Sequence, residues 1–395
     1  MIPYGKHDIS NEDINAVIEV LRSEYLTQGP LVPLFEETIS TIVGAKHAVA
    51  ANSATSALHI ACMALELGKG DLLWTSPISF VASSNCALYC GAEVDFVDID
   101  PINFNLCPLA LATKLEIAEK NGKLPKIVVA VHLCGQSCDM KAISALAKRY
   151  QFQVIEDASH AIGAKYFNEY IGNCKYSDIT VFSFHPVKII TTAEGGLATT
   201  NDTKLSEKMM SYRSHGITRN EELFTKETEG TWYYQQIELG YNYRMTEIQA
   251  ALGLSQVKRL DEFVAERNYF AKRYDKLLKG LPIILPKQSK DCFSARHLYV
   301  IQVKSSSGIS RKNAFNALRN VGVGVNVHYI PIHLQPFYQK IGFKDGDFPI
   351  AEAYYMRAIS LPLFSSMTDE VQNQIIKHLW DIFSPLGEHF YGNLQ

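Results

Sequence analysis

The amino-acid sequence predicts an α/β protein with two parts: a large domain whose mostly parallel sheet lies between helices, and a smaller C-terminal α+β domain. Between residues 47 and 200, short apolar runs rich in β-branched residues alternate with segments of helical periodicity. Strands that alternate with helices pair in parallel and are covered on both faces. From about residue 300 the order changes to strand, helix, strand and closing helix, so we expect residues 1–255 and 256–395 to form the two domains.

The composition indicates a globular protein that acts on small molecules. The 395 residues are 47% hydrophobic and 20% charged, unlike the composition of a disordered chain. A formal net charge of −3 gives no basic surface for nucleic acid. The N-terminal segment lacks the apolar core of a signal peptide, and no run of about eighteen apolar residues occurs. We therefore expect a cytoplasmic protein with no membrane or nucleic-acid partner.

The sequence gives no reason to expect a bound metal. The eight cysteines are scattered through mostly apolar segments, and none forms a CxxC pair with histidine partners at zinc-finger spacing. His328 and His333 lie close in sequence, but Pro331 excludes a helix between them and no third ligand is nearby. We expect the cysteines to behave as small buried hydrophobic residues.

Two helices joined by a polar loop begin the chain. Residues 10–23 start with a serine N-cap, carry acidic residues in the first turn and repeat apolar residues at helical spacing. A second helix is predicted from about Pro33. The loop Leu26–Gly29 between them could present backbone amides and an amide side chain to a ligand, or could simply connect the helices.

A strand, a turn and a helix follow from His47. The strand ends at Asn52, small polar residues occupy positions 53–56, and apolar residues recur at helical spacing up to Gly68. Free N–H groups and the helix dipole make such an N-terminus suitable for a phosphate, although a serine-capped core helix gives the same pattern. The absence of Walker and Rossmann glycine patterns argues against nucleoside triphosphates and dinucleotides.

Three further strands continue the predicted sheet. They are expected within residues 72–76, 94–98 and 126–135, each followed by helix or turn signals. Phe80 follows the first of them, at a place where the carboxyl ends of parallel strands converge on a ligand. Its ring could stack on a flat ligand, or it could belong to the core.

The functional prediction depends on Asp157 and Lys188. Asp157 ends an apolar strand in the segment 153–164, where a buried carboxylate needs a cationic partner. Lys188 follows the apolar strand 179–184, and its apolar neighbours should favour the neutral, nucleophilic amine over the alternative of a surface lysine. Pyridoxal phosphate requires an aspartate at its pyridine nitrogen and a lysine that holds its aldehyde. Ser183 offers a hydroxyl for its phosphate.

The C-terminal part of the chain shows a different pattern. After residue 240, apolar and charged residues alternate over a segment that predicts one long helix or two. Strands are then expected at 298–303 and 323–331, with a helix at 311–322 between them and a closing helix at 369–383. These elements predict the smaller α+β domain.

Five motifs are spread along the chain: LTQGP, NSATSALHIAC, VIEDASHAIGA, SFHPVKIITTAEGG and GYNYRMTEIQAALGLSQ. In these motifs and in their order, the chain resembles, over nearly its whole length, the fold type I, pyridoxal-phosphate-dependent nucleotide-sugar aminotransferases of the DegT/StrS type. Further stretches such as GVNVHYIPIHLQPFY look most like the branch that forms UDP-4-amino-4,6-dideoxy-N-acetyl-β-L-altrosamine in pseudaminic acid biosynthesis. One departure is Ala193, where many relatives carry glycine.

The resemblance also implies roles for individual residues. Lys188 would hold pyridoxal 5'-phosphate and move the proton during transamination, Asp157 would pair with the pyridine nitrogen, and Phe80 would stack on the ring. The phosphate and polar edge of the cofactor would be bound by Ala54, Thr55, His160, Ser183 and, from the second subunit of an obligatory homodimer with composite active sites, Asn242. The nucleotide sugar would be contacted by Tyr4, Leu26, Thr27, Gln28, Gly29, Asn326, Val327, His328 and Tyr329.

The implied reaction has two halves that share Lys188. L-Glutamate would convert the cofactor to pyridoxamine phosphate, which would then aminate C4 of UDP-2-acetamido-2,6-dideoxy-β-L-arabino-hexos-4-ulose, a UDP-4-keto-6-deoxy-N-acetylhexosamine. A 4-keto sugar of the bacillosamine or aminoarabinose type is an alternative substrate. The dehydratase branch carries histidine in place of the lysine, so Lys188 argues against it. A non-catalytic relative would lack Lys188 or Asp157, and both are present.

Overall fold

A computed structural model describes residues 1–384, so the last residues of the predicted small domain, 385–395, lie outside the described part. The helices are α1 (Asn11–Arg22), α2 (Leu31–Val43), α3 (Ala54–Ala64), α4 (Ala82–Tyr89), α5 (Pro108–Lys120), α6 (Met140–Tyr150), α7 (Thr203–Arg213), α8 (Glu247–Val257), α9 (Leu260–Leu277), α10 (Arg311–Asn320), α11 (Pro336–Lys340), α12 (Pro349–Tyr355) and α13 (Asp369–Phe383). The strands are β1 (His47–Ala51), β2 (Leu72–Thr75), β3 (Glu93–Phe96), β4 (Ile127–Val131), β5 (Gln153–Asp157), β6 (Lys165–Tyr166), β7 (Glu169–Tyr170), β8 (Ile179–Ser183), β9 (Gly196–Thr200), β10 (Ile217–Thr218), β11 (Gln235–Gln236), β12 (Ile283–Ile284), β13 (Cys292–Phe293), β14 (Tyr299–Val303) and β15 (Ala358–Leu361).

The central sheet has seven strands in the order β1-β9-β8-β5-β4-β2-β3. Strands β3, β2, β4, β5 and β8 run parallel to one another, whereas β9 is antiparallel to both β8 and β1. The prediction of a mostly parallel sheet is confirmed. Because the parallel strands share one direction, the carboxyl ends of β2, β4, β5 and β8 lie along one edge, where ligands bind in folds of this kind.

The sheet is buried on both faces by helices. Val129 and Ile155 belong to an apolar cluster that includes α3 and α4, whereas Val128 and Val154, one residue earlier on the same strands, pack with α5 and α6. Neighbouring residues of a strand point to opposite faces, so a strand covered on both sides is apolar at every position. This explains why these strands are continuous apolar runs in the sequence.

The small C-terminal sheet has three strands in the order β12-β14-β15 and packs against α9, α10 and α13. The strand expected at 323–331 does not form, so that prediction was wrong. The backbone of Asn326 makes an isolated bridge to Ser360, and Gly324 donates its N–H to the O of Ile2 at 2.7 Å. The N-terminal arm is thus bonded to backbone groups that would have paired with a neighbouring strand if a continuous strand had formed here.

The N-terminal arm joins the two parts of the protein. The Ile2 N–H donates to the O of Gly322 at 2.8 Å, and the O of Tyr4 accepts from the Leu363 N–H at 3.0 Å. In the same way, β13 pairs with β6 of the large domain although it lies far along the chain. The predicted division between residues 255 and 256 stays a prediction.

The structure also bears on the predictions about the helices, the cysteines and membrane-spanning segments. The segment expected as one long helix or two forms two, α8 and α9, and α1 begins at the predicted cap Ser10. All eight cysteines are free; five are buried and three are partly exposed. A search of residues 1–384 finds no helix of the length and hydrophobicity needed to cross a membrane.

Candidate active site

A cavity of about 420 Å³ opens where the parallel strands end. Cavities of this size commonly bind small molecules. Its walls include the end of β5, the end of β8 with the loop that follows, and the first turn of α3. It brings together ten predicted site residues: Tyr4, Ala54, Thr55, Phe80, Asp157, His160, Ser183, Lys188, His328 and Tyr329.

The N-terminus of α3 has the properties of an anion site. Ser53 caps the helix, and its Oγ accepts a hydrogen bond from the Ser56 N–H at 3.1 Å. The N–H groups of Ala54 and Thr55 have no hydrogen-bond partner among residues 1–384. Gly196 on β9 approaches so closely that a Cβ would lie 2.4 Å from the Ala54 nitrogen. Free N–H groups at the positive end of a helix fit the phosphate of the predicted cofactor.

Asp157 ends β5 and is only 5% exposed. Its Oδ2 accepts a hydrogen bond from Ser83 Oγ at 2.6 Å, and its Oδ1 accepts from the Ser159 N–H at 3.1 Å and from Ser159 Oγ at 2.5 Å. The Oγ atoms of Ser79 and Ser83 lie 2.6 Å apart and extend this group of hydroxyls. Three donors to one carboxylate fix its position in the cavity wall. This carboxylate fits a protonated pyridine nitrogen.

The serines around Asp157 were not predicted from the sequence, which indicated a cationic partner. Ser159 does carry a local signal, because aspartate often accepts from the backbone N–H two residues further on. Ser83 belongs to α4, and no spacing in the sequence relates it to Asp157. Tertiary packing alone brings them together.

Lys188 lies in the loop after β8 and lines the cavity with Asp157. Burial lowers the pKa of its ammonium group to about 8, while the negative charge of Asp157 acts in the opposite direction. At a pH near that value the amine is about half neutral. A neutral amine can attack a carbonyl carbon and accept a proton, which are the two tasks of a transaminase lysine.

His160 lies beside Lys188 as a neutral imidazole. Burial, together with the charges of Lys188 and His328, lowers the pKa of His160 well below its usual value. Its Nδ1 accepts from the Cys134 N–H at 3.3 Å, so its Nε2 carries the hydrogen in the neutral ring. That N–H donates to Tyr329 Oη at 3.1 Å. The Tyr329 hydroxyl accepts from His160 and keeps its own hydrogen for a ligand.

Two more histidines complete the wall around Lys188. His297, which sequence reasoning missed, lies with its ring 4.3 Å from the ring of His160, and burial lowers its pKa well below the usual value. His328 Nδ1 is 2.8 Å from Ser360 Oγ, and burial lowers the pKa of His328 to about 4. Near neutral pH these imidazoles are uncharged, so Lys188 is the base among them that titrates in that range.

Other predicted residues do not line this cavity. The loop Leu26–Gly29 lies at the start of α8, where Thr27 pairs with Thr246. Asn242 is exposed and pairs with Ser214. Asn326 and Val327 precede His328, and Asn326 Oδ1 accepts from the Val327 N–H at 2.8 Å. The ligand contacts of these residues stay predictions.

Ala193 adopts a left-handed backbone conformation with φ of 67°. Thr191 Oγ1 accepts from the Ala193 N–H at 3.0 Å, which supports the turn. The next residue, Glu194, lines the cavity. Glycine suits such a conformation better than alanine, so the departure seen in the sequence places a strained residue at the cavity's edge.

Comparison with known proteins agrees with the geometry of the site. Residues 7–380 match the DegT/DnrJ/EryC1/StrS aminotransferase family. The spore coat polysaccharide biosynthesis protein SpsC of Bacillus subtilis is 41% identical over 385 residues, which cover 96% of this chain and 97% of SpsC. A UDP-4-amino-4,6-dideoxy-N-acetyl-β-L-altrosamine transaminase of Campylobacter jejuni is 37% identical over 368 residues, 93% of each chain.

A solved structure shows the same fold. Helicobacter pylori PseC, an aminotransferase of pseudaminic acid biosynthesis, superimposes with a TM-score of 0.88 at 33% sequence identity. The superposition covers 97% of this chain and 99% of PseC. A likeness that extends over both parts of the protein confirms the fold type I architecture.

These similarities span the lysine, the aspartate and the anion site of the cavity. Aminotransferases of the matched family depend on pyridoxal phosphate, and the residues in the cavity wall fit that cofactor. The chain therefore belongs to the DegT/DnrJ/EryC1/StrS aminotransferase family, as a pyridoxal-phosphate-dependent sugar aminotransferase.

Proposed function

We propose that this aminotransferase moves the amino group of L-glutamate to C4 of UDP-2-acetamido-2,6-dideoxy-β-L-arabino-hexos-4-ulose, giving UDP-4-amino-4,6-dideoxy-N-acetyl-β-L-altrosamine. The observation that carries this proposal is the 37% identity, over 93% of both chains, to a transaminase named for that product. The similarity to PseC along 97% of the chain supports the same pathway.

The cofactor would be held by groups at the sheet edge. The N–H groups of Ala54 and Thr55 and the Ser183 hydroxyl would bind the phosphate, and Asp157 would keep the proton on the pyridine nitrogen. When bound, pyridoxal phosphate supplies an electron sink for breaking and making the C–H bond at the amino-bearing carbon. The exposed ring of Phe80, 59% accessible, is available for stacking.

Lys188 would carry the proton in both half-reactions. As a neutral amine, its Nζ takes the proton from the amino-bearing carbon of glutamate, and it later delivers a proton to C4 of the sugar. A pKa of about 8 places the lysine near the pH at which proton uptake and release are both easy. His160, His297 and His328 stay neutral and do not compete for that proton.

The side of the cavity formed by Tyr4, His328 and Tyr329 would bind the sugar. Burial raises the pKa of Tyr4, with Asn326 acting in the opposite direction, and burial also raises the pKa of Tyr329. Both hydroxyls therefore stay protonated and can donate hydrogen bonds to sugar or phosphate oxygens. Such hydroxyl donors suit a nucleotide sugar, because its sugar and phosphate oxygens are hydrogen-bond acceptors.

We also propose a homodimer with composite active sites. Asn242 and the loop Leu26–Gly29 lie outside the cavity of their own chain and are largely exposed, which supports a role in the cavity of a second copy. Mixed dimers of a Lys188→Ala chain and an Asn242→Ala chain test this. If Asn242 serves the neighbouring cavity, each mixed dimer regains one working site; if it serves its own cavity, the mixed dimers are as inactive as the two parents.

The test of the substrate uses the visible absorbance of bound pyridoxal phosphate. L-Glutamate should bleach the band, and the arabino-configured 4-keto UDP-sugar should restore it, with the aminated product identified by mass spectrometry and NMR. Bleaching that is reversed only by a different 4-keto UDP-sugar would keep the reaction and reject the assigned sugar.

A second candidate is favoured by a specific observation. SpsC is 41% identical to this chain over 385 residues, and its name refers to spore coat polysaccharide. The same amination of another UDP-4-keto sugar, including the bacillosamine or aminoarabinose type, is therefore the alternative, and a panel of 4-keto sugars in the restoration assay separates the two.

A further inference from the structure

The loop Leu26–Gly29 is held in place by the first residues of α8 rather than by its own sequence. At the start of the loop, the O of Leu26 accepts from the Glu247 N–H at 3.1 Å. Thr27 then pairs with Thr246 in an antiparallel bridge. Two consecutive residues of the loop are thus fixed to the N-cap Thr246 and to the first residue of α8, Glu247.

The end of the loop is held by the side chain of the same glutamate. Glu247 Oε2 accepts from the Leu31 N–H at 2.7 Å, and Oε1 accepts from the Val32 N–H at 3.2 Å. These are the first N–H groups of α2, and the N-cap residue Pro30 makes no side-chain hydrogen bond to them. A carboxylate from far along the chain therefore caps α2, where the helix dipole favours a negative charge.

Steric contacts restrict the backbone conformation of the loop between these two points of attachment. A Cβ on Gly29 would lie 2.6 Å from the Cβ of Tyr25 and 2.7 Å from Glu247 Oε2. Gln28 before it has a left-handed backbone with φ of 57° and is exposed. Glu247 itself is 1% exposed and does not line the cavity. It contacts the loop and leaves the outer face of the loop free.

The start of α8 is also attached to the wall of the cavity. Thr246 and Gln249 form a capping box, and Gln249 Nε2 donates to the O of Glu194 at 2.7 Å. Glu194 lines the cavity. One helix N-terminus therefore sets the position of the loop relative to the cavity's edge.

We propose that Glu247 is a positioning residue that fixes the loop Leu26–Gly29 in the conformation that binds the nucleotide sugar. The inference rests on the proposed function and on the contact between this loop and the nucleotide sugar that the family resemblance implies. Glu247 affects the half-reaction of the acceptor sugar and not that of L-glutamate, because it contacts the loop and not the substrates. It works in the same way whether the loop serves its own cavity or that of a second copy.

The Glu247→Gln variant tests the proposal, because the amide keeps the size of the side chain. It has no negative charge, and only one of its two terminal atoms can accept a hydrogen bond from the N–H groups of α2. We expect the concentration of 4-keto UDP-sugar needed for half-maximal restoration of the absorbance band to rise about tenfold. Bleaching by L-glutamate should stay within about twofold of the wild type. Hydrogen exchange, which needs no turnover, should become faster at the amides of Leu31 and Val32.

A matched control removes a comparable pair of helix N-terminal bonds elsewhere. Asp202 caps α7 by accepting from the N–H groups of Lys204 and Leu205. Asp202→Ala should lower the melting temperature and leave both half-reactions unchanged. Gly29→Ala is the second variant, since its Cβ would clash with Tyr25 and with the Glu247 carboxylate and so displace the loop while the carboxylate keeps its charge. It should reproduce the selective defect if Glu247→Gln does not fold.

Equal losses in both half-reactions, or no change in the acceptor half-reaction, would overturn the positioning role and leave Glu247 as a structural cap. A wild-type protein that bleaches with L-glutamate but accepts none of the nucleotide sugars would instead refute the proposed function, and the positioning role with it. That result is seen in the wild type alone, so the two failures are distinguishable.

Discussion

The floor and the rim of the cavity are built in different ways. The floor, formed by Asp157, Ser183, Lys188 and the first turn of α3, lies on buried strands and a helix of one sheet. The rim, formed by Tyr4, His328 and Tyr329, lies on the N-terminal arm and on a loop, which are fixed by contacts distant in sequence. We therefore expect the sheet to hold the chemistry shared by both half-reactions and the rim to select the sugar.

Changes to the floor should therefore stop both half-reactions, and Lys188→Ala should have the largest effect. Loss of the amine removes both the attachment of the cofactor and the proton carrier, so turnover should fall by at least about 10⁴-fold. Bleaching by L-glutamate should disappear from the absorbance assay, while titration with pyridoxamine phosphate should still show binding. Residual turnover close to that of the wild type would show that another base carries the proton.

Asp157→Asn should have the next largest effect. The amide would present a donor to Ser83 or Ser159, and it would no longer hold the proton on the pyridine nitrogen, so both half-reactions should slow by about 10²–10⁴-fold. Stopped-flow absorbance measures each half separately. The matched control is Glu156→Gln, because Glu156 is the buried neighbour that bonds His132 and Ser177 instead; it should alter stability and leave the rates near normal.

Tyr329→Phe should act on the rim alone. Removal of the hydroxyl leaves the His160 Nε2–H without its partner and deprives the sugar of a donor, so the acceptor half-reaction should weaken by about tenfold. The L-glutamate half should change less. Tyr338→Phe removes a buried hydroxyl that bonds Asn85 outside the cavity, and it serves as the control. Equal effects on both halves would remove the distinction between floor and rim.

Ala193→Gly should give the smallest effect, at the boundary between floor and rim. Relief of the left-handed strain should raise the free energy of unfolding by roughly 0.5–1 kcal/mol, measured by chemical denaturation. The control Ala112→Gly lies inside α5 and should lower it by about 1 kcal/mol. A large change in either half-reaction would show that the strained alanine shapes the cavity itself.

The sequence alone predicted which residues form the floor, but it did not predict the residues that surround them. Asp157 and Lys188 follow buried strands, and strand ends of a parallel sheet meet at one edge, so local patterns placed them correctly. Ser83 and His297 come from elements whose approach depends on tertiary packing, which no local spacing encodes. The segment 323–331 looked like a strand because its apolar alternation is real, but its backbone groups bond to the N-terminal arm and to β15 instead.

The same arm has a practical consequence for work with the protein. Ile2 and Tyr4 are bonded to Gly322, Gly324 and Leu363 through their backbones, and the side chain of Tyr4 forms part of the cavity wall. An affinity tag or fluorescent label attached next to these residues would therefore sit within reach of the ligand. An environment-sensitive dye there would report sugar binding directly, whereas a bulky tag would lower the apparent affinity before any residue of the cavity had been changed.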